Sequence, residues 1–280
     1  MSLPRAKEYE GPRCLVIDVS HWQGEIDWRA VEAAPAGVVG AMVRLGDGKD
    51  RDRRAVENLR GAKAAGLLVG AYRYLRAEHG VERQIDLDRE ILGEAGVRLD
   101  LPLCPDLEGG PDPDGDGPRK ASGAWQDVRS GVTVDTADVL EVVRGYIDAA
   151  RELTGLEPWL YTGRAWIDHV KDPPPWTWEV PLWLAVGAGG RIPGPWGVRD
   201  VVLHQYSAKG RVRGITGPVD LNHYHGSPEA LRGLRGPVQA PRDAIDRAAA
   251  VLDLAEGAPP AEREVLLRAA RRLGALARCG

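Results

Sequence analysis

A chain of 280 residues, 43% hydrophobic and 28% charged, has the composition of a globular protein with room for one large domain or two smaller ones. Its net charge of -4 gives no support for nucleic-acid binding. The chain contains no run of about 18 apolar residues, which a membrane-spanning helix would need. Three cysteines, Cys14, Cys104 and Cys279, are too few for a disulfide framework and favour a reducing compartment.

The first half of the chain alternates between apolar strands and amphipathic helices. Strands are predicted at 14–18, 38–45, 67–74 and 101–108, and helices at 26–34, 52–65 and 82–94. This alternation predicts βαβ units around a parallel sheet.

The second half is poorer in helix. A polar segment rich in Gly, Pro and Asp at 109–131 precedes a predicted helix at 136–153. Strands are then predicted at 157–162, 181–186, 201–206 and 215–221, with only short connections between the last ones. The fold class is therefore predicted as α/β, an irregular TIM-like (β/α) barrel rather than eight equal units.

The composition shifts to Ala, Arg, Glu and Leu from about residue 236. Two helices are predicted at 241–256 and 262–278, with apolar residues at helical spacing. Such helices are marginal alone, which predicts that they dock on the barrel or bind a partner protein. The predicted organisation is an N-terminal lead at 1–13, a barrel at 14–235 and a helical hairpin at 236–280.

Two acids at the end of one predicted strand are the sharpest local feature. Asp106 and Glu108 are two residues apart, so they share a face and lie roughly 6.6 Å apart along the strand. Glycoside hydrolysis uses such a carboxylate pair, and crowding separates the two pKa values. The spacing falls between the retaining and inverting ranges and leaves the stereochemistry open. A surface acid pair at a strand end is the alternative.

Two further acids favour the catalytic interpretation. Asp18 ends the first predicted strand, and Asp220 lies near the end of the last one. The carboxyl ends of barrel strands build the active site in this architecture. Four acids at such positions are hard to explain by packing, because buried charges are costly without a cation.

Ordered motifs over residues 14–234 resemble glycoside hydrolase family 25, the Chalaropsis-type lysozymes. The first is IDVSHWQGEIDW at 17–28, which is similar to the start of that family. The others, in the family's order, are AKAAGLLVGAYRY at 62–74, LPLCPDLE at 101–108, PLWLA at 181–185, HQYS at 204–207 and VDLNHYHG at 219–226.

The resemblance implies an irregular β/α barrel that hydrolyses the β-1,4 bond between N-acetylmuramic acid and N-acetylglucosamine. It implies that Glu108 is the general acid/base and that Asp106 assists it. Asp106 would act as a nucleophile or would orient the 2-acetamido group of the substrate. Asp18 and Asp220 match two further cleft acids that tune Glu108 and bind sugar.

Several aromatic and polar residues match positions that line the family's cleft, and core packing is the alternative for each. They are Tyr74, Trp183, Gln205 and Tyr206. Trp125, in the polar segment, is predicted to cover bound glycan or to anchor its own loop. The chain departs from the family at Arg73, where the family has His, and at Val186, where it usually has Tyr.

Two patterns suggest metals, but weakly. Asp112, Asp114 and Asp116 resemble the first half of a calcium loop, although Gly123 replaces the usual Glu at position 12. A flexible acidic loop is the alternative. The His-x-His pair at 223–225 could suggest zinc, but the family needs no metal. We therefore expect no cofactor.

The implied partner is the glycan strand of bacterial peptidoglycan, without nucleic acid or membrane insertion. The first 13 residues contain no apolar segment typical of a secretory signal. This predicts synthesis in the cytoplasm and action on the wall after lysis or non-Sec delivery. The alternative functions are a catalytically silent glycan-binding module and a scaffold component of a phage-like or injection apparatus. A chitinase is disfavoured because its DxxDxDxE pattern is absent.

Overall fold

A computed structural model gives the structure of the chain. It describes residues 11–108, 124–126, 131–163, 166, 170, 174–186 and 201–235. The predicted helical hairpin at 236–280 and most of the polar segment at 109–131 lie outside the described residues.

Eight strands close into a barrel, which confirms the predicted fold class. In order around the barrel they are β1 (Arg13–Val19), β2 (Val38–Asp47), β4 (Leu68–Tyr74), β5 (Leu103–Leu107), β8 (Leu160–Gly163), β9 (Leu182–Ala185), β10 (Val201–Gly210) and β11 (Val219–His225). Pairing of β1 with both β2 and β11 closes the ring. Three short strands lie outside it: β3 (Asp50–Arg51) on the end of β2, and the ribbon of β6 (Ala124–Gln126) and β7 (Thr133–Asp135).

Helices surround part of this barrel. They are α1 (Trp28–Glu32), α2 (Ala55–Ala64), α3 (Val81–Ala95), α4 (Thr136–Thr154) and α5 (Pro228–Arg232). The sequence sets the bounds of α4, because the Asp135 side chain accepts from the Ala137 amide and Gly155 adopts a φ of 69° at the other end. No helix among the described residues is both long and apolar enough to cross a membrane.

The last barrel strand runs against its neighbours. The other seven barrel strands are parallel to one another, whereas β11 is antiparallel to both β10 and β1. A strand was predicted at 215–221 with Asp220 near its end, and that prediction is wrong, because Asp220 is the second residue of β11. The connection from Gly210 to Val219 is too short for a parallel crossover, so the chain turns back as a hairpin.

Strand alternation divides the apolar residues between two cores. Along β5, Cys104 and Asp106 face the barrel interior, while Leu103 and Leu107 pack outward with the helices. Cys14 and Cys104 are buried free thiols in the interior core, as the alternation predicts. Burial raises the pKa of Cys14 to about 11, so its thiol stays protonated and unreactive near neutral pH.

Candidate active site

A polar pocket of about 120 Å³ opens at the edge of the barrel where the parallel strands end. It is lined by Asp18, Ser20, Trp22, Gln23, Arg44, Tyr72, Asp106, Glu108, Tyr161, Trp183, Gln205 and Asp220. The four acids singled out in the sequence therefore meet in one place. Asp220 joins the other three because the antiparallel β11 begins at the edge where the parallel strands finish.

Strand β5 places one acid of the sequence pair in the barrel and the other at its mouth. Asp106 is only 4% exposed, whereas Glu108 follows the last strand residue and is half-buried. Neighbouring strands fix this end of β5: the Leu75 amide donates to the Asp106 carbonyl at 2.9 Å, and the Thr162 hydroxyl donates to the Leu107 carbonyl at 3.1 Å. The two carboxyl groups thus have different access to solvent.

The other two acids form a coupled pair. Asp18 and Asp220 are directly opposite each other across β1 and β11, and their carboxyl groups influence each other's ionisation. Burial, and then the charge of Asp220, raise the pKa of Asp18 well above its ordinary value. Burial also raises the pKa of Asp220. The pair therefore holds a proton on Asp18 under conditions where an ordinary aspartate is ionised.

Two side-chain amides hold Asp18 in place. Asn222 Nδ2 donates to Asp18 Oδ2 at 2.7 Å, and Gln205 Nε2 donates to the same oxygen at 3.2 Å. A hydrogen bond to the amide oxygen orients each of these side chains. The Trp183 indole donates to Asn222 Oδ1 at 2.7 Å, and the Tyr161 hydroxyl donates to Gln205 Oε1 at 2.9 Å. Because an indole N–H can only donate, the Asn222 amide nitrogen must face Asp18.

Three aromatic residues form a wall of the pocket. The Trp183 ring meets Tyr161 edge to face, with centroids 4.8 Å apart, and meets Tyr72 in the same way at 5.6 Å. Burial and the charge of Asp18 raise the pKa of Tyr72 well above 10, and burial and the charge of Glu108 do the same for Tyr161. Both hydroxyls therefore stay protonated and can donate hydrogen bonds.

Arg44 of β2 places a cation in the same pocket. Arg44 Nε donates to Asp52 Oδ2 at 2.9 Å, and Arg44 Nη2 is 2.6 Å from His21 Nδ1. Burial opposes ionisation of Asp52, but hydrogen bonds from Arg54 and His21 and the charge of Arg44 outweigh it and lower the pKa of Asp52. An ionised carboxylate therefore holds the guanidinium at the pocket.

Comparison with known proteins identifies the family. The model described as Glycosyl hydrolases family 25 matches residues 17–215. The chain belongs to glycosyl hydrolase family 25. Lysozyme M1 of Streptomyces globisporus is 28% identical over 226 residues, which are 78% of this chain and 70% of that protein. The family 25 chain is accordingly a glycosidase.

Solved structures show the same barrel. The lysozyme from Streptomyces coelicolor superposes with a TM-score of 0.63 at 27% identity, covering 79% of this chain and 96% of that one. A family 25 glycosyl hydrolase from Bacillus anthracis gives a TM-score of 0.59 at 20% identity, covering 83% and 97%, and this likeness concerns the fold.

The remaining residues singled out from the family resemblance lie in different places. Trp183 and Gln205 line the pocket of this family 25 enzyme. Tyr74 is not among the lining residues. It is buried, stands beside Asp106 in register and has the Arg76 guanidinium 5.0 Å from its ring.

Tyr206 is also absent from the pocket lining. Its ring stacks on His223 with centroids 4.1 Å apart. Leu203 and Gln205 face the barrel interior, so strand alternation turns Tyr206 outward, away from the pocket.

The candidates in the polar segment cannot be placed. The side chain of Trp125, together with Asp112, Asp114 and Asp116, lies outside the described residues. Within the part of the chain that the structure describes, which includes His223 and His225, no group of three His, Cys, Asp or Glu side chains is arranged to hold a metal ion.

Sequence reasoning missed several pocket residues, although some left a signal. Arg44 interrupts the apolar run AMVRL of β2, and a charge inside a buried strand indicates a special partner. Tyr72 has the same strand parity as Tyr74 and belongs to the interior core of the barrel. The signal for Trp22 is its place in the family motif at 17–28.

Proposed function

We propose that the protein hydrolyses the β-1,4 bond between N-acetylmuramic acid and N-acetylglucosamine in peptidoglycan. The observation that carries this proposal is the meeting of Asp106 and Glu108 with the coupled pair Asp18–Asp220 in one pocket of a family 25 barrel. The names of its relatives, which are lysozymes, support the same substrate.

In the proposed reaction Glu108 is the general acid and base. It is the more accessible acid of the β5 pair, so it can reach a glycosidic oxygen bound at the mouth of the pocket. Glu108 donates its proton to the leaving oxygen as the C–O bond breaks, and later takes a proton from the attacking water. Because the pocket opens at the edge of the barrel, a long glycan strand can extend beyond it on either side of the bond that is cleaved.

The buried Asp106 faces the charge that develops on the sugar. Positive charge appears at the anomeric carbon in the transition state, and a carboxylate beneath it is stabilising. Asp106 either attacks that carbon as a nucleophile or orients the acetamido oxygen of the substrate. The proton held by Asp18 limits the charge of the Asp18–Asp220 pair, which reduces the repulsion that two further anions would cause.

Hydrolysis of purified peptidoglycan tests this assignment. We expect Glu108→Gln to lower the rate of turbidity loss by at least about 100-fold, because general acid/base catalysis contributes roughly 10² to 10⁴. Asp106→Asn should lower it nearly as much. A matched control is Glu57→Gln, which makes the same change on an exposed glutamate of α2 and should leave the rate unchanged.

Mass spectrometry of the released ends decides the bond. Reducing N-acetylmuramic acid ends from the wild type and Glu57→Gln, but not from Glu108→Gln, would support the proposal. Reducing N-acetylglucosamine ends would contradict the proposed bond, and wild-type rates in Glu108→Gln would contradict the proposed acid. Binding to several walls without cleavage would favour the glycan-binding or scaffold alternatives.

A further inference from the structure

Trp22 combines high exposure with a place in the pocket wall. Its side chain is 74% exposed, and among the described residues it is the large hydrophobic with the highest exposure. A ring that is so exposed contributes little to the packing of the core, so packing does not explain a tryptophan at this position. It lines the same pocket as Asp106 and Glu108.

The turn that presents Trp22 is firmly held. His21–Gln23 form a short 3-10 turn directly after β1. The Ser20 amide donates to Gln23 Oε1 at 2.9 Å, and the Trp22 amide donates to Ser20 Oγ at 3.2 Å. Gln23 Nε2 also donates to the Pro218 carbonyl at 3.2 Å, which ties the turn to the start of β11. The backbone under the indole is therefore fixed before any ligand binds.

The neighbouring imidazole supports the indole itself. The rings of His21 and Trp22 are tilted by 32° with centroids 4.6 Å apart. His21 is held in turn by Asp52, whose Oδ2 lies 3.0 Å from the His21 amide and 2.9 Å from its Nδ1. One side of the indole thus rests on an anchored ring while most of its surface faces solvent.

A rigid, exposed aromatic ring beside a polar pocket fits a particular chemistry. A pyranose ring has C–H groups on its faces and hydroxyl groups around its edge, so it can lie on an indole while its edge reaches polar groups. We propose that Trp22 is a stacking platform for a sugar ring of the glycan, next to the ring at which Glu108 acts. This inference rests on the proposed function and adds a binding subsite to it.

The consequence is an effect on affinity rather than on chemistry. Stacking on a ring away from the reacting bond stabilises bound substrate and transition state alike, which changes KM and leaves kcat unchanged. We expect Trp22→Ala to weaken binding roughly tenfold, equivalent to about 1.4 kcal/mol. Trp22→Phe keeps a flat ring and should lose no more than about threefold.

The test is calorimetric binding of a soluble tetrasaccharide of alternating N-acetylglucosamine and N-acetylmuramic acid. The titrations use full-length Glu108→Gln, alone and combined with Trp22→Ala or Trp22→Phe, so that turnover does not interfere. Steady-state rates are measured with the single Trp22 variants. Because Trp22 is exposed, the melting temperature of Trp22→Ala should match that of the parent, which separates a binding loss from misfolding.

The outcomes separate this inference from the proposed function. A Kd unchanged by Trp22→Ala, equal losses in the Ala and Phe variants, or a fall in kcat at constant KM would each overturn the platform. So would a failure of the parent to bind the tetrasaccharide. If the wild type bound it with the expected Trp22 dependence but cleaved no wall, the platform would stand and the proposed hydrolysis would fail.

Discussion

The environment of Asp18 differs from that of an ordinary, solvated aspartate. It is buried, faces Asp220 and accepts hydrogen bonds from Asn222 and Gln205 through one oxygen. A neutral carboxylic acid satisfies these contacts, because its second oxygen can donate to Asp220. An asparagine at this position offers the same pattern, with an oxygen that accepts and an N–H that donates.

We therefore expect Asp18→Asn to keep the free energy of unfolding at pH 7 within about 1 kcal/mol of the wild type. Asp18→Ala removes the acceptor of the buried Asn222 amide and of the half-buried Gln205 amide, and should cost roughly 2–4 kcal/mol. Both values are measured by urea denaturation. A larger loss in the Asn variant than in the Ala variant would show that Asp18 must be charged in the folded protein.

The pH dependence of the same variants has a defined sign. The pKa of Asp18 is higher in the folded than in the unfolded protein, so the unfolded chain binds fewer protons above its ordinary pKa of 3.8. The contribution of Asp18 to stability is thus greatest below that value and declines as the pH rises towards the folded pKa. Relative to Asp18→Asn, the wild type should lose stability as the pH rises above 4, a trend that parallel denaturation series can detect.

The acids of the site were predictable because each is next to a strand end, a feature of local sequence. Their partners were not. Gln205 and Asn222 lie 187 and 204 residues from Asp18 in the chain, and only barrel closure brings them together. No local pattern distinguishes these amides from other polar residues in a strand. The proton shared by Asp18 and Asp220 likewise depends on burial that a sequence does not reveal.

At the scale of elements, a buried ion pair joins helices α3 and α4 to the barrel. Arg73 points outward from β4, and its Nε and Nη2 donate to Asp88 Oδ1 of α3 at 2.8 and 2.6 Å. The Tyr146 hydroxyl of α4 donates to the other oxygen of Asp88. Arg73 is the residue that replaces the family's His, so this departure serves packing behind the pocket.

We expect Asp88→Ala to reduce the free energy of unfolding by about 3–5 kcal/mol, because it leaves the Arg73 guanidinium buried without a counter-ion. Tyr146→Phe should cost less, about 1–2 kcal/mol. Asp86→Ala is the control, since Asp86 pairs with Arg89 on the exposed face of the same helix and should change stability by less than about 0.5 kcal/mol. Equal effects of the two Asp variants would contradict a special role of the buried pair.

Element positions were mostly predictable, whereas the direction of the last strand was not. Apolar runs located the strands of the parallel part to within a few residues, because their patterns are local. The start of β11 was misplaced by four residues, since the apolar run 215–221 includes Ile215, which packs in the loop before the strand. The reversal of β11 follows from its hydrogen-bond partners, β10 and β1, and the partner β1 lies at the other end of the chain.

At the scale of the whole molecule, the barrel closes at a seam rich in histidine. His204 of β10 and His223 and His225 of β11 lie on this seam, with Arg13 opposite His225 in β1. The His204 and His225 ring centroids are 6.2 Å apart. Burial, assisted by the positive charge of Arg13, lowers the pKa of all three. Neighbouring histidines add to this effect for His223 and His225, and the pKa of His225 falls to about 4.

This seam should weaken in acid. The unfolded chain protonates its histidines below about pH 6.5, whereas folded His225 resists protonation until about pH 4. The His225 contribution is therefore fully present above pH 6.5 and is lost as the pH falls towards 4, by about 1–2 kcal/mol for a partly exposed group. His225→Gln cannot titrate, so the difference in unfolding free energy between pH 7 and pH 5 should be smaller than in the wild type. Asp18 and Asp220 are present in both proteins and cancel in that comparison. An identical pH difference in the two proteins would mean that closure of the barrel does not depend on a neutral His225.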